Sequence, residues 1–462
     1  MKRVIPVLSL GALLLTALPA HATDTGLTHR DSYGTKAVYS PTLEHARAGG
    51  PPSGQNPRTY RQPPAGYTAV FTENVSRHGS RSATDGEDGD TILALWNQAQ
   101  ADGQLTARGK KFGPDVQALE AAMSAVGYGN LSGRGKDELR ATAVRLDKRL
   151  PSLFSSIAKN GEKIDVVSSG QGRAVDSGTV FATALTDADP ALKASVGTAR
   201  VDKNLLYFHK SAGGADYQKW LASDERLAST LTSVTDQPAS HRAAARVLAR
   251  IFEPAFVQRI VNGEFASTAD DITAATAVYN LYAIAPAMSE ESPDGKGWDF
   301  DRYIAPRDAA WFGYLGDAED FYEKGPSFSD SDITYKMAQP LLDDLFEQVE
   351  AKRDGTSTLG AELRFTHAEE IIPLAALMRL PGSEKAATPG RTYTYADNPW
   401  RGAEVASLAS NIQWDVFKKG DDYLVRMLYN EKEIAFKAGC RPISKHSTFY
   451  DLNELEKCFD RS

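Results

Sequence analysis

The chain has 462 residues, 42% hydrophobic and 24% charged, with a formal net charge of −8. This composition excludes a disordered chain and gives enough length for one large core plus a second, smaller one. The negative balance argues against nucleic acid or an anionic membrane as partner, so any polyanion must be met by a local cluster of arginines.

The start, Met1-Lys2-Arg3, an apolar run over 4–18 and Pro19-Ala20-His21-Ala22, has the parts of a secretory signal in order. It predicts a signal peptide over 1–22, cleavage after Ala22, and a secreted or periplasmic protein. The alternative is a retained anchor, but the run is short for a bilayer-spanning helix. Residues 41–64 are rich in Pro, Gly and polar residues, and 23–66 is expected as an N-terminal arm over the surface. The β-branched and aromatic stretch 67–75 predicts a strand that ends in Ser76-Arg77-His78-Gly79-Ser80-Arg81. The acidic run 85–90 lacks the spacing and terminal glutamate of a calcium loop and reads as a solvated turn.

Helices are predicted over 105–126 and 131–158, opened by Thr106 and Ser132. In the second, Leu139, Ala143, Leu146 and Leu150 give one buried face. A strand over 164–169 follows, running into Gly170-Gln171-Gly172-Arg173 and a helix near Ala174. From 205 to 349 the pattern is Ala-rich and helical without convincing strands, which predicts a helical cap domain inserted between 67–204 and 350–462 of an α/β catalytic domain. The sheet resumes over 361–366 and leads into His367-Ala368-Glu369 and a helix from Ile371; 423–429 and 433–436 flank Asn430-Glu431-Lys432 as a hairpin. Cys440 and Cys458 are the only cysteines, and in an exported chain they favour one disulfide, worth ~3 kcal/mol. No histidine stands at ligand spacing from them, and His29, His45, His209, His241 and His446 show no metal pattern either.

Three strand ends thus deliver Arg77, His78 and Arg81, then Arg173, then His367 and Glu369. Parallel strands place their C-terminal ends side by side, so these loops would converge. Three guanidinium groups make a phosphate clamp that stays charged at any accessible pH, and their field keeps His78 neutral and nucleophilic. Arginines supply the charge neutralisation that phosphoryl transfer needs, so no metal or other cofactor is required. Glu369 is the candidate acid for the leaving alkoxide, its pKa raised by the substrate's negative charge.

Arg77-His78-Gly79-Ser80-Arg81 resembles the RHGxR signature of the histidine acid phosphatases, and His367-Ala368-Glu369 resembles the HAE proton-donor motif of the multiple inositol polyphosphate phosphatases within them. Tyr33-Gly34-Thr35-Lys36, 105–109, 168–173, 320–325 and 430–432 add further matches, so the likeness spans nearly all of the mature chain. It implies a mixed α/β sheet flanked by helices, with a phosphoglycerate-mutase-like core and a helical cap. It also implies a phosphohistidine on His78, phosphate ligands at Arg77, Arg81, Arg173 and His367, and Glu369 as the acid that later activates water. The implied substrate is inositol hexakisphosphate and its lower phosphates, with no obligate protein partner. Ala83, where many relatives have Pro, puts the rigidity of the first loop in question.

Two other functions compete: a broad-specificity acid or sugar phosphatase, and a catalytically silent inositol-phosphate-binding protein. Asn74 and Asn130 fit glycosylation sequons. Lys203 and Lys210, near the domain junction, are weighed as outer-phosphate contacts against ordinary surface lysines.

Overall fold

A computed structural model describes residues 28–41 and 60–461. The expected signal peptide over 1–22 and the stretch 42–59 of the Pro-rich arm lie outside them. Only helices longer than a single turn are labelled below.

After the turns over His29–Lys36 come strand β1 (Thr68–Arg77) and helices α1 (Glu87–Ala101), α2 (Gly109–Val126), α3 (Gly133–Arg149) and α4 (Pro151–Asn160). Strand β2 (Lys163–Ser168), helix α5 (Gly172–Ala188) and the two-residue strand β3 (Arg200–Val201) follow. The single helix expected over 131–158 is two helices. Pro151 has no N–H to continue α3 and instead opens α4 at its first position, where no partner is needed. The acidic stretch read as a turn partly belongs to α1, where Glu87, Asp88 and Asp90 occupy the first turn and face the positive end of the helix dipole.

The middle of the chain is helical: α6 (Ala215–Ser223), α7 (Glu225–Thr235), α8 (Pro238–Leu248), α9 (Pro254–Val261), α10 (Asp271–Ile284), α11 (Pro306–Glu323) and α12 (Gln339–Arg353). Trp96, Phe112 and Leu119 of α1 and α2 share one apolar cluster with Val247, Phe256, Tyr279 and Phe312 from this region. The helices over 87–126 therefore bury their apolar faces with the helical middle of the chain rather than against the sheet.

Strand β4 (Leu359–Thr366), helix α13 (Ala368–Leu377), strands β5 (Asn411–Lys419), β6 (Asp422–Tyr429), β7 (Lys432–Ile434) and β8 (Phe449–Asp451), and helix α14 (Leu452–Cys458) complete the chain. The sheet order is β3-β2-β4-β1-β5-β6-β7, with β8 also on β6. The first four strands are parallel, and β5 to β8 pair antiparallel. On one face Leu146, Phe154 and Phe181 of α3, α4 and α5 meet Val166, Leu363 and Phe365. On the other, Leu345 and Phe346 of α12 and Ile371 of α13 meet Phe71, Val75 and Trp414. This is the mixed, helix-flanked α/β architecture that the sequence predicts.

The described ends of the expected arm are built into the molecule. The turns over His29–Lys36 pack on α11, and the buried Tyr39 hydroxyl donates to Glu431 Oε2 at 2.9 Å. Tyr60 is buried between Arg149 and Arg426, each 5.6 Å from its ring centroid. Cys440 and Cys458 form a disulfide that closes a loop of sequence separation 18 and ties α14 to the chain after β7. Cys440→Ser is expected to lower the unfolding free energy by about 3 kcal/mol on the chain-entropy model; urea titration of the oxidised parent and the variant reads it.

Candidate active site

The parallel order β2-β4-β1 sets three C-terminal strand ends beside one another, with β4 in the middle. His78 follows β1 directly, and its N–H donates to Thr366 O of β4 at 2.9 Å. Its ring lies 5.4 Å, centroid to centroid, from that of His367, the residue after β4. The third end joins through Ser169, whose hydroxyl is 2.8 Å from His367 Nε2, and α5 then presents Arg173 in its first turn.

The first loop is held from several sides. Gly79 is required by close approach: a Cβ there would stand 2.6 Å from Gly135 O at the start of α3. The same helix supplies Glu138, which accepts the Ser80 N–H and hydroxyl, both at 2.8 Å, and the Tyr39 N–H at 3.0 Å. At Ala83, where the resemblance puts the loop's rigidity in question, Ser82 N–H donates to Asn130 O at 3.0 Å, the Ser82 hydroxyl to Gly127 O at 2.7 Å, and Gly129 N–H to Ala83 O at 2.7 Å. Tertiary hydrogen bonds thus restrain the loop there. Gly79→Ala is expected to lower kcat by about 100-fold or more through displacement of the loop. A crystal structure of the variant with its loop in place and activity intact would contradict this.

His78 Nδ1 lies 2.9 Å from Gly79 O, so the ring's proton is on Nδ1 and the lone pair on Nε2. Burial first, then Arg77, His367, Arg81 and Arg173, push its pKa well below the ordinary histidine value. The sequence argument credits the arginines alone; burial is the larger cause. His367 is lowered to about 3, again by burial first and then by Arg173. In the tautomer in which Ser169 donates to Nε2, this neutral ring presents Nδ1–H, which has no protein partner, as a donor toward an oxyanion. Burial lowers Arg77 and Arg81 to about 10, which still leaves both charged at any accessible working pH.

The arrangement leaves hydrogen-bond capacity open where negative charge would sit. Among the described residues, Arg77 Nε, Arg81 Nε, Arg173 Nε and His367 Nδ1 are all buried without a hydrogen-bond partner. Buried donors of this kind cost about 1–3 kcal/mol each when unmatched, so four around one imidazole mark a pre-formed oxyanion cradle. Arg77 is itself aimed by its Nη1, which donates to Thr35 O at 2.6 Å and to Ala406 O.

Glu369 stands in the first turn of α13, which begins at Ala368 rather than at the expected Ile371. Burial acts to raise its pKa, but Lys324, His209, its own N–H and His367 outweigh that and hold it at about 2. The protein's own groups therefore keep the carboxyl ionised. The rise expected from the sequence has to come from a bound substrate's negative charge. Lys324 is protonated despite burial because Asp320, 2.5 Å away, Glu369 and Glu323 surround it. Asp320 also accepts from the Thr35 hydroxyl at 2.9 Å. Lys324, Asp320, Thr35 and Glu138 carry no assigned role in the sequence reading. Two motif matches contained three of them, but only the fold brings those motifs to the arginines.

The family model of the histidine phosphatase superfamily, branch 2, matches residues 71–430. The chain belongs to that superfamily. As a branch 2 histidine phosphatase it is a hydrolase of phosphomonoesters. It is 25% identical over 402 residues to multiple inositol polyphosphate phosphatase 1 of Homo sapiens, covering 79% of this chain and 74% of that one. A multiple inositol polyphosphate phosphatase of Bifidobacterium longum, in complex with phosphate, superposes with a TM-score of 0.86 at 30% identity, over 94% of this chain and 98% of that one. Its complex with inositol hexasulfate gives a TM-score of 0.83 at 31% identity, over 93% and 97% of the two chains. The phytase of D. castellii, at 14% identity and a TM-score of 0.62 over 98% of this chain and 90% of that one, shares the fold.

Proposed function

We propose that this histidine phosphatase removes phosphate from inositol polyphosphates such as phytate, with His78 as nucleophile and Glu369 as proton donor. The observation that carries the reading is the set of four unpartnered buried nitrogens on Arg77, Arg81, Arg173 and His367 around one neutral imidazole. In the first step His78 Nε2 attacks phosphorus, the phosphorus–oxygen bond to the inositol ring breaks, and the departing oxygen takes the proton of Glu369. In the second, the Glu369 carboxylate accepts a proton from water, whose oxygen attacks phosphorus and releases His78. The arginines and His367 Nδ1–H neutralise the equatorial oxygens in both steps.

The inositol polyphosphate assignment draws on the names of the human and Bifidobacterium longum relatives and on the latter's complex with inositol hexasulfate. The test is kcat/KM for phytate against glucose 1-phosphate and p-nitrophenyl phosphate, with the products from phytate resolved by chromatography. A preference for phytate of at least about tenfold is expected. Negligible phytate turnover would instead select the broad-specificity phosphatase. We also propose export with cleavage after Ala22, which N-terminal sequencing of the mature protein reads directly.

A further inference from the structure

One pair of buried titratable side chains beside the site has no part in the chemistry above. Glu370 is fully buried and follows Glu369 in the first turn of α13. A carboxylate so placed costs several kcal/mol unless it is matched. His209, only 5% exposed, matches it with Nδ1 at 2.6 Å from Glu370 Oε1. The other carboxylate oxygen is 2.8 Å from the Thr366 hydroxyl, and the Thr366 carbonyl accepts the His78 N–H. One residue of β4 therefore touches both the backbone of the histidine loop and the anchor of α13.

His209 belongs to a short 3-10 turn (Phe208–Lys210) in the helical half of the molecule, steadied by Gln218, whose Nε2 donates to His209 O at 2.6 Å. The preceding Tyr207 lies edge-on between two imidazoles, 4.6 Å from the ring of His209 and 5.3 Å from that of His367. A buried hydrogen bond serving stability alone has no need of this address. Here one partner adjoins Glu369 in sequence, and the other packs through a single aromatic ring on His367. His209 is also among the groups that hold Glu369 ionised.

We propose that the His209–Glu370 pair is a positioning element of the reaction, fixing the first turn of α13, and Glu369 with it, against the turn that carries Tyr207. The proposal rests on Glu369 as the proton donor. Its action runs through Glu369, so losing it harms the step in which a poor leaving group must be protonated.

The experiment is a double-mutant cycle. His209→Gln and Glu370→Gln are made in the parent and in Glu369→Gln, and kcat and KM are measured for phytate and for p-nitrophenyl phosphate. In the parent background, His209→Gln is expected to lower kcat for phytate by about tenfold or more, with KM within about twofold and p-nitrophenyl phosphate turnover nearly unchanged. In the Glu369→Gln background the same change is expected to cost less than about twofold. Glu370→Gln, which keeps an acceptor for His209, should show the same pattern in weaker form, and it carries the test if His209→Gln does not fold. Equal losses on both substrates, or the same loss in both backgrounds, would overturn the proposal. Whether Glu369→Gln alone discriminates between the two esters judges the donor assignment separately.

Discussion

His78→Ala is expected to lower kcat by about 10⁴-fold or more on every phosphomonoester tested, whatever its leaving group. The reason is geometric. Nδ1 is committed to Gly79 O, so Nε2 is the ring nitrogen left for phosphorus, and alanine offers no substitute. The clamp is built from other residues, so the variant should still bind inositol hexasulfate. Rapid acid-free quenching of the parent with labelled substrate should trap a base-stable phosphohistidine that is missing from the variant. Parent-like turnover by His78→Ala would remove the covalent mechanism, and would leave the silent binding protein excluded as well.

Glu369→Gln is expected to lower kcat for phytate by about 10²–10³-fold and that for p-nitrophenyl phosphate by no more than a few-fold, because nitrophenolate departs without a proton. Charge adds a second readout. Against burial, the carboxyl is held at about 2 by Lys324 first and by the other groups around it, so it is ionised in the free enzyme at any pH above that. A polyanion beside it raises the pKa, and a raised pKa at fixed pH means a proton taken up from the buffer. Binding of inositol hexasulfate near pH 4 should therefore show net proton uptake, by calorimetry in buffers of different ionisation enthalpy. Part of the uptake belongs to His78 and His367, whose lowered values rise for the same reason. The share that disappears in Glu369→Gln belongs to the donor; no difference between parent and variant would sink the assignment.

Much of this arrangement could be read from the sequence because the chemistry sits at strand ends. Strand 67–75 and the segments 164–169 and 361–366 have the β-branched and aromatic content of buried parallel strands, and the residues after them carry the charge. Strand β5 escaped notice although its pattern is legible: Asn411, Gln413 and Asp415 alternate with Ile412, Trp414 and Val416. What the alternation does not reveal is that the polar face is buried too. Only the fold supplies their partners: Asp415 is paired with Arg149 of α3 at 3.0 Å and Arg426 of β6 at 2.7 Å. Glu138 and His209 were illegible for a similar reason. Each is one polar residue in a helix or turn, and its meaning depends on a neighbour far away in the chain, Ser80 in one case and Glu370 in the other. The sign of the Glu369 shift was hidden too, since the charge of Lys324, just past the end of α11, acts on it through a juxtaposition that no local pattern encodes.

Strand β1 is paired in parallel with β4 on one flank and antiparallel with β5 on the other, and the bonding continues past its end: Arg77 N–H to Ser410 O at 2.8 Å, His78 N–H to Thr366 O at 2.9 Å, and Ala409 N–H to His78 O at 2.9 Å. A backbone gripped on both flanks opens only with the sheet itself, so the His78 ring is carried on a seat that does not give way locally. Any yielding that entry of a ligand demands is then expected from the side chains and helices around that seat, and hydrogen exchange should find the amides of Arg77 and His78 among the slowest in the molecule.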